Sequence, residues 1–142
     1  MGIDLDYEGA YAGFEGWGTA LNADGTIIAL GEFGANDSSG QLRVLQYSGG
    51  KWNQLGSTIT PSDATGHYLG MSVDLDADGN TLAFSAAGCP RSRDFGKNYV
   101  FEYVDSVWIQ SGVFDVERCS YSQISLSDDG NIVAMGDWPN DD

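Results

Sequence analysis

The chain is poor in proline, cysteine, histidine and basic residues. Its 142 residues include 3 Pro, 2 Cys and 1 His, and 6 Lys and Arg stand against 21 Asp and Glu, giving a formal net charge of −15. So acidic a surface repels phosphate backbones and anionic headgroups, which argues against nucleic acid and bare membrane as partners. The acidity either suits cations and basic partners or simply keeps a glycine-rich protein soluble.

Long apolar runs are also missing. No run approaches the roughly 20 residues that a membrane helix needs, and the N-terminal MGIDLDYEG has neither the basic nor the apolar region of a signal peptide. We therefore expect no membrane insertion by this segment. What is abundant is glycine, with 20 residues, together with 17 aromatic residues. This combination favours aromatic-rich strands joined by tight turns.

An internal repeat organises the sequence. The segments ALNADGTIIALG (20–31), DLDADGNTLAFS (74–85) and SLSDDGNIVAMG (125–136) align without gaps, and their turn glycines lie 54 and 51 residues apart. VLQYSGGKWNQLG (44–56) matches VFEYVDSVWIQSG (100–112) in the same way. Repeats of this length are typical of solenoids and propellers.

Each repeat contains four short strand-like runs. In the second copy they cover 71–76, 81–85, 99–103 and 107–110, and Asp-Gly, a strong hairpin signal, joins the first two. No window shows helical periodicity. The fold class is therefore predicted to be all-β, with β-propeller blades of four antiparallel strands and about 2.6 repeats of about 54 residues.

The repeats divide the chain into consecutive parts. We predict the end of a preceding repeat or inter-blade connection at 1–13, blade 1 at 14–56, a connection at 57–67, blade 2 at 68–112, and a connection with the first half of blade 3 at 113–142. Because propellers need roughly 4 to 8 blades, we expect a fragment of a larger ring or completion by other copies.

These motifs resemble the FG-GAP repeats of integrin-α-type β-propellers. YLGMSVDLDADGNTLAFSAAG (68–88) is the best match, and GDWPND (136–141) stands where those repeats have Gly-Ala-Pro with an Asn-Asp loop. The resemblance implies an extracellular, usually about seven-bladed interaction module, often calcium-binding in integrins. It implies location outside the cell, at its surface or in a secretory compartment, and it does not imply catalysis.

The strand before the second Asp-Gly turn has the spacing with which a calcium loop begins. Asp74, Asp76 and Asp78 alternate, as do the first oxygen ligands of EF-hand and FG-GAP loops. Leu82 occupies the ninth position, where integrin repeats carry Asp. Calcium is thus the only cofactor that the sequence suggests, with the hairpin turn, common to all three copies, as the alternative interpretation.

The two cysteines lie in loops that a propeller blade presents on one face. Cys89 falls between the second and third strands of blade 2, and Cys119 in the connection to blade 3. A Cys89–Cys119 disulfide would imply an oxidising compartment, while two buried thiols are the alternative.

Two further surface features fall in loops. Asn36-Asp37-Ser38 is an N-glycosylation sequon at Asn36. Four of the six basic residues cluster near the cysteines and form either a patch for an acidic partner or glycan, or local counter-charges for neighbouring acidic residues. They are Arg91, Arg93, Lys97 and Arg118.

The sequence gives little support to catalysis. The single histidine, His67, has no nucleophile motif beside it, and no carboxylate pair stands out. We therefore expect no enzyme but a scaffold or interaction module that binds a protein or glycan partner, or the remaining blades of the same or other chains. The alternatives are a calcium-stabilised adhesion or glycan-binding propeller and a propeller hydrolase with active residues outside this segment.

Overall fold

The computed structural model describes residues 18–62, 68–86, 96–116 and 120–139. Within these ranges the chain forms antiparallel sheets, which confirms the predicted all-β class. One helical turn, α1 (Ala35–Ser38), interrupts the loop after the second strand, where the sequence shows no helical periodicity. No helix in these ranges is long and apolar enough to cross a membrane.

The strands form three sheets in chain order. Sheet I contains β1 (Thr19–Leu21), β2 (Ile27–Gly31), β3 (Leu42–Ser48) and β4 (Lys51–Gln54). Sheet II contains β5 (Leu69–Leu75), β6 (Thr81–Ala86), β7 (Gly96–Val104) and β8 (Val107–Val116). Sheet III contains β9 (Ser120–Leu126) and β10 (Val133–Pro139). In each sheet every strand pairs with the next along the chain.

The outer strands of sheet II are longer than the sequence predicts. A bulge between Val100 and Phe101 shifts the register, after which pairing continues as far as Gly96 opposite Val116. The extra residue, Ser111, has no partner in the register, and the bulge interrupts the ladder locally and adds twist. The strand β8 therefore runs four residues past Gly112, where the sequence predicts the end of blade 2.

The Asp-Gly turns are tight hairpins in all three sheets, as predicted. Each turn glycine has a positive φ and donates its N–H to the carbonyl three residues earlier, a geometry that glycine adopts without steric cost. The values are φ 72° for Gly25, 73° for Gly79 and 69° for Gly130, with N···O distances of 3.1, 3.1 and 2.9 Å to Asn22, Asp76 and Ser127.

The main core lies between sheets I and II. Side chains that alternate along β5, β6 and β7 pack against small and branched residues of sheet I, because successive strand residues point to opposite faces. The largest are Phe84 and Tyr99, both fully buried with ring centroids 5.3 Å apart. The core further includes Ile27, Ala29, Leu42, Val44, Val73, Leu75, Leu82 and Phe101.

The outer hairpins carry a matching aromatic pair in both complete sheets. Tyr47 and Trp52 have ring centroids 5.3 Å apart in sheet I, and Tyr103 and Trp108 are 5.0 Å apart in sheet II. The Trp108 Nε1–H also donates to the Leu55 carbonyl at 2.9 Å, which ties the outer ends of the two sheets together. The sequence alignment of Trp52 with Trp108 therefore reflects the same cross-strand contact.

The turn between β7 and β8 holds two residues in a conformation that favours glycine. Gly49 and Gly50 form the corresponding turn of sheet I with φ of 61° and 81°, whereas sheet II has Asp105 at 51° and Ser106 at 70°. We expect Ser106→Gly to raise the free energy of unfolding by about 1 kcal/mol, because the left-handed region disfavours side chains with a Cβ. Urea denaturation measures this change. Gly50→Ser is the matched reverse substitution and should lower stability, and a loss on Ser106→Gly would contradict the interpretation.

Candidate functional site

A row of hydrogen bonds joins the inner turns of the three sheets. The Ala23 N–H donates to the Ala77 carbonyl at 3.1 Å, and the Ala77 N–H donates to the Asp128 carbonyl at 2.9 Å. These three residues occupy the same position in the three aligned repeats. The backbone of each turn therefore binds its counterpart in the next repeat, and we call this row the turn ladder.

The turn glycines pack against the preceding sheet in the same repeated way. A Cβ on Gly79 would lie 2.7 Å from Ile27 Cδ1, and one on Gly130 would lie 2.6 Å from Thr81 Oγ1. Ile27 and Thr81 are again equivalent positions. A Cβ on Gly25 would meet no atom within 4 Å in the ranges that the structure describes. Two of the three turns thus need glycine for close packing as well as for the positive φ.

Asp76, one of the three predicted calcium ligands, caps its own turn. Its Oδ1 accepts N–H bonds from Asn80 at 2.8 Å and Thr81 at 2.9 Å, and its side chain is buried. The equivalent residues do the same, since Asn22 Oδ1 accepts from the Ile27 N–H at 2.8 Å and Ser127 Oγ from the Ile132 N–H at 3.0 Å. A side-chain oxygen at this position is therefore a shared turn feature.

Asp74 joins sheet II to sheet III. Its Oδ2 accepts the Leu126 N–H at 2.7 Å, and its Oδ1 accepts the Leu75 N–H at 3.0 Å. Two residues earlier on β5, Ser72 Oγ accepts the Ile124 N–H at 3.0 Å. Side chains on one face of β5 thus satisfy backbone donors of β9, which would otherwise be buried without a partner.

The contact between sheets I and II uses glycine in place of these polar side chains. Gly18 and Gly31 correspond to Ser72 and Ser85 in the repeat. A Cβ on either glycine would lie 1.8 Å from the Gly70 carbonyl oxygen, so the backbones of the two sheets approach directly. The turn ladder is therefore common to both interfaces, but the strand faces differ. The contact between sheets I and II is glycine-rich and apolar, and the contact between sheets II and III is polar.

The three predicted calcium ligands do not converge in the described ranges. Asp74 points towards β9, Asp76 caps its turn and Asp78 is exposed. No group of three or more His, Cys, Asp or Glu side chains in 18–62, 68–86, 96–116 and 120–139 is arranged to hold a metal ion. Calcium binding stays a prediction, and thermal unfolding in calcium and in chelator tests it, since an unchanged midpoint would contradict it.

The last acidic residue of the turn is charged and hydrogen-bonded in the first and third repeats. The Ser127 hydroxyl donates to Asp129 Oδ1 at 2.6 Å and, with Asn131, lowers the pKa of Asp129 to about 2. The Thr26 hydroxyl donates to Asp24 Oδ1 at 2.6 Å and lowers the pKa of Asp24 in the same way. Hydrogen bonds to the carboxylate favour its charged form.

The ionised Asp129 should therefore contribute to the free energy of unfolding, and this contribution should disappear at low pH. Its folded-state pKa lies below the ordinary value of 3.8, so the contribution is complete above that value and is lost as the pH falls through about 2. We expect a carboxyl ¹³C titration by NMR to give Asp129 a midpoint near 2, and Ser127→Ala to raise it. A midpoint at or above 3.8 in the unsubstituted protein would contradict the geometry.

A buried ion pair at the end of β2 was not foreseen from the sequence. Glu32, only 2% exposed, receives the Arg43 Nε–H at 2.8 Å and a second bond from Arg43 Nη2 on Oε1, and the Gln41 Nε2–H on Oε2 at 2.6 Å. Asn36 Nδ2 donates to Gln41 Oε1 at 3.2 Å, which extends the network to the surface. Both carboxylate oxygens are thus occupied, as a buried charge requires.

The remaining predicted residues are placed only in part. Asn36, the sequon residue, is exposed, has a φ of 52° and begins the network just described, and its glycosylation stays a prediction. Lys97 lies on β7 opposite Asp115, in the register expected of a local counter-charge. The other predicted residues lie outside the described ranges, so neither the disulfide nor the basic patch is tested. They are Cys89, Cys119, Arg91, Arg93 and Arg118.

Comparison with known proteins adds no family assignment. No protein-family model matches the chain, and a search of curated proteins found no match either. The FG-GAP resemblance therefore rests on the motifs alone.

Proposed function

We propose that the chain is a part of an FG-GAP-like β-propeller that serves as a non-catalytic scaffold and interaction module. In this proposal sheets I and II are complete blades, β9 and β10 are the inner half of a third, and the remaining blades come from the same or other chains. The observation that carries the proposal is the turn ladder, in which Ala23, Ala77 and Asp128 link equivalent positions of successive repeats.

The packing of whole strands supports the same arrangement. The strand β5 packs against β1 and β2, and β9 packs against β5 and β6, so that the first strand of each repeat contacts the first two strands of the repeat before it. Two successive interfaces with the same strand pairings are what a rotationally repeated unit requires. Propeller blades pack face to face in this way, with the first strand nearest the central axis.

The acidic residues of the turns stabilise the framework, which agrees with a binding role. Asp74 and Asp76 accept backbone N–H bonds that hold the turns and sheets together, and Asp24 and Asp129 do so within their turns. These carboxylates therefore build a rigid framework from which loops project. By the FG-GAP resemblance we also propose a protein or glycan partner and a location outside the cell, at its surface or in a secretory compartment.

An experimental structure of the natural full-length protein tests the arrangement. The proposal expects β1, β5 and β9 to lie nearest a common axis, with successive sheets rotated about it by a constant angle. A straight stack of sheets would contradict it.

Incubation of the same protein with a glycan array tests the function class. Retention of a glycan without cleavage, followed by mass spectrometry, would support a binding module. Turnover of a bound glycan would contradict the non-catalytic role, whatever the arrangement of the sheets.

A further inference from the structure

The face of sheet III that points away from sheet II is open in the described ranges. Ile132, beside β10, is 67% exposed, whereas Ile27, at the same repeat position in sheet I, is 6% exposed beneath sheet II. Ser125 and Ala134 pair across β9 and β10 on this face, and both are exposed. We call Ser125, Ile132 and Ala134 the sheet III end face. The positions that a following sheet covers in sheet I are therefore uncovered in sheet III.

Sheet I has the complementary open face. Leu21 on β1 is 55% exposed, whereas Leu75, its equivalent on β5, is 6% exposed where sheet II packs against sheet I. Thr19 and Gly25 are exposed as well. We call Thr19, Leu21 and Gly25 the sheet I end face. The first and last described sheets thus each leave uncovered one half of the contact that joins neighbouring sheets.

The turn ladder leaves one donor and one acceptor unused among the described residues. Each of its hydrogen bonds runs from the N–H of one repeat to the carbonyl of the next. The Ala23 carbonyl is therefore the unused acceptor at the first turn, and the Asp128 N–H is the unused donor at the third. Neither group has a hydrogen-bond partner within the described ranges. The ladder would continue if the Asp128 N–H donated to the Ala23 carbonyl of another copy.

The two end faces also match in shape. At the contact between sheets I and II, Gly79 lies so close to Ile27 that a Cβ on the glycine would be 2.7 Å from Ile27 Cδ1. Gly25, the equivalent turn glycine of sheet I, has open space above it in the described ranges. Ile132 in turn has no described turn glycine over it. A Gly25 from a second copy would therefore cover Ile132 as Gly79 covers Ile27.

We propose that the chain self-associates head to tail, with the sheet III end face of one copy bound to the sheet I end face of a second copy. The Asp128 N–H of the first copy donates to the Ala23 carbonyl of the second, and the second copy's Gly25 packs on Ile132 and buries it. The two partners use different surfaces, so the contact is heterologous and each bound copy can bind a further one. This inference rests on the proposed propeller arrangement, because the turn ladder supplies the geometry of the contact.

Like charge weakens this contact. Each copy carries a net charge of −15, and the contact brings the exposed Asp24 of one copy and the exposed Asp129 of the other close together. Salt screens such repulsion. We expect a dissociation constant of about 10–100 μM at physiological salt, so that dilute protein is monomeric with both end faces uncovered, and tighter association at higher salt.

Sedimentation velocity of the natural full-length protein over a range of concentrations tests the association. Particles of two or more copies should form above about 100 μM, and several-fold lower concentrations should suffice at about 1 M salt. A monomer at every concentration up to about 1 mM would overturn the inference. It would leave the arrangement of the sheets to be judged by the structural experiment above, because further repeats of the same chain would then supply the remaining blades.

Two variants that each block one end face test whether the contact is head to tail. Leu21→Lys blocks the sheet I end face and Ile132→Lys the sheet III end face, at exposed positions where folding should be preserved. Each variant alone should associate at least about tenfold more weakly, although the added Lys reduces the repulsion between copies. An equal mixture should form a one-to-one dimer, because each variant keeps the face that the other has lost. If either variant alone associated as strongly as the unsubstituted protein, the head-to-tail contact would be wrong.

Ile109→Lys is the matched control for these variants. It adds the same charge at an exposed apolar position, 50% exposed, on β8 and away from both end faces. Its association should stay within about twofold of that of the unsubstituted protein. A loss as large as those in Leu21→Lys and Ile132→Lys would place the contact on the outer hairpin and would overturn the proposal.

Hydrogen exchange at the Asp128 amide, followed by NMR, reports the proposed ladder bond itself. This amide should exchange at least about tenfold more slowly in the assembled protein than in dilute protein. In Ile132→Lys the exchange should not depend on protein concentration. An assembled protein whose Asp128 amide exchanges as fast as in the monomer would contradict the proposed contact.

Discussion

Replacing Gly31 with Ala is expected to destabilise the protein by about 3 kcal/mol or more, the value for a severe overpacking change. The added Cβ would lie 1.8 Å from the Gly70 carbonyl oxygen and 2.9 Å from its Cα, and both atoms belong to the backbone of the facing sheet. A flexible side chain could turn away, but a backbone carbonyl in a strand cannot move without shifting sheet II. Chemical denaturation measures the loss, and near-ultraviolet circular dichroism reports whether Phe84 and Tyr99 keep their packing.

Gly136→Ala is the matched control for Gly31→Ala. Gly136 occupies the same position in the third repeat, but a Cβ there would meet no atom of the described residues within 4 Å. Since Ala loses less conformational entropy than Gly on folding into a strand, we expect this variant to gain about 0.5 kcal/mol. Opposite signs at two equivalent positions would show that the cost at Gly31 arises from the sheet I–sheet II contact. Similar losses at both positions would contradict that account.

Replacing Arg43 with Met is expected to lower the free energy of unfolding by about 3–5 kcal/mol, as breaking a buried ion pair does. The variant leaves the Glu32 carboxylate, 2% exposed, with the Gln41 amide as its remaining described side-chain partner. Met has a length and volume close to those of the aliphatic part of Arg, so the loss reports the missing charge and the missing hydrogen bonds of the guanidinium group, the two to Glu32 among them. Urea denaturation near pH 7 is the measurement.

The double variant Glu32→Gln, Arg43→Met tests whether the loss comes from an uncompensated charge. A neutral amide at position 32 still accepts a bond from Gln41, so the double variant should recover most of the stability lost in Arg43→Met. Arg43→Lys should lie in between, because it keeps the charge and loses the forked geometry. A loss below about 1 kcal/mol in Arg43→Met would contradict this account, because so small a value is typical of exposed ion pairs.

The hairpins were the part of the fold most open to prediction from sequence. Asp-Gly at 24–25, 78–79 and 129–130 determines the turn, and alternation along 73–76 determines which side chains face the core, because both signals are local. The register bulge near Val100 has no such signal. It depends on how far the outer hairpin extends, and the predicted β8 was therefore too short.

The equivalence of Asn22, Asp76 and Ser127 could also have been found. Three different residue types align there, which hides the pattern from a search for identity, yet all three carry a side-chain oxygen suited to capping a turn. That shared chemistry explains why Asp76 resembles a metal ligand when its repeat is considered alone. Asp74, by contrast, aligns with Ala20 and Ser125, and its contact with the Leu126 N–H requires knowledge of how two sheets pack.

Contacts between distant residues were beyond the reach of sequence reasoning. Glu32 and Arg43 lie on opposite sides of a loop and form one of many opposite-charge pairs that the sequence allows. The approach of Gly31 to Gly70 depends on the distance between two sheets, and no local pattern encodes that distance. In the third repeat Gly136 makes no such contact with the described part of the chain, so glycine alone does not reveal it.

The central claim is that successive repeats stack through the same contacts at the same positions. Substituting Ala for each turn glycine in turn tests it most directly, with the free energy of unfolding as the measurement. All three variants should lose about 1–2 kcal/mol from the positive φ, and Gly79→Ala and Gly130→Ala should each lose about 1–3 kcal/mol more, because their Cβ atoms meet Ile27 and Thr81. Equal losses in all three variants, Gly25→Ala included, would contradict the repeated packing.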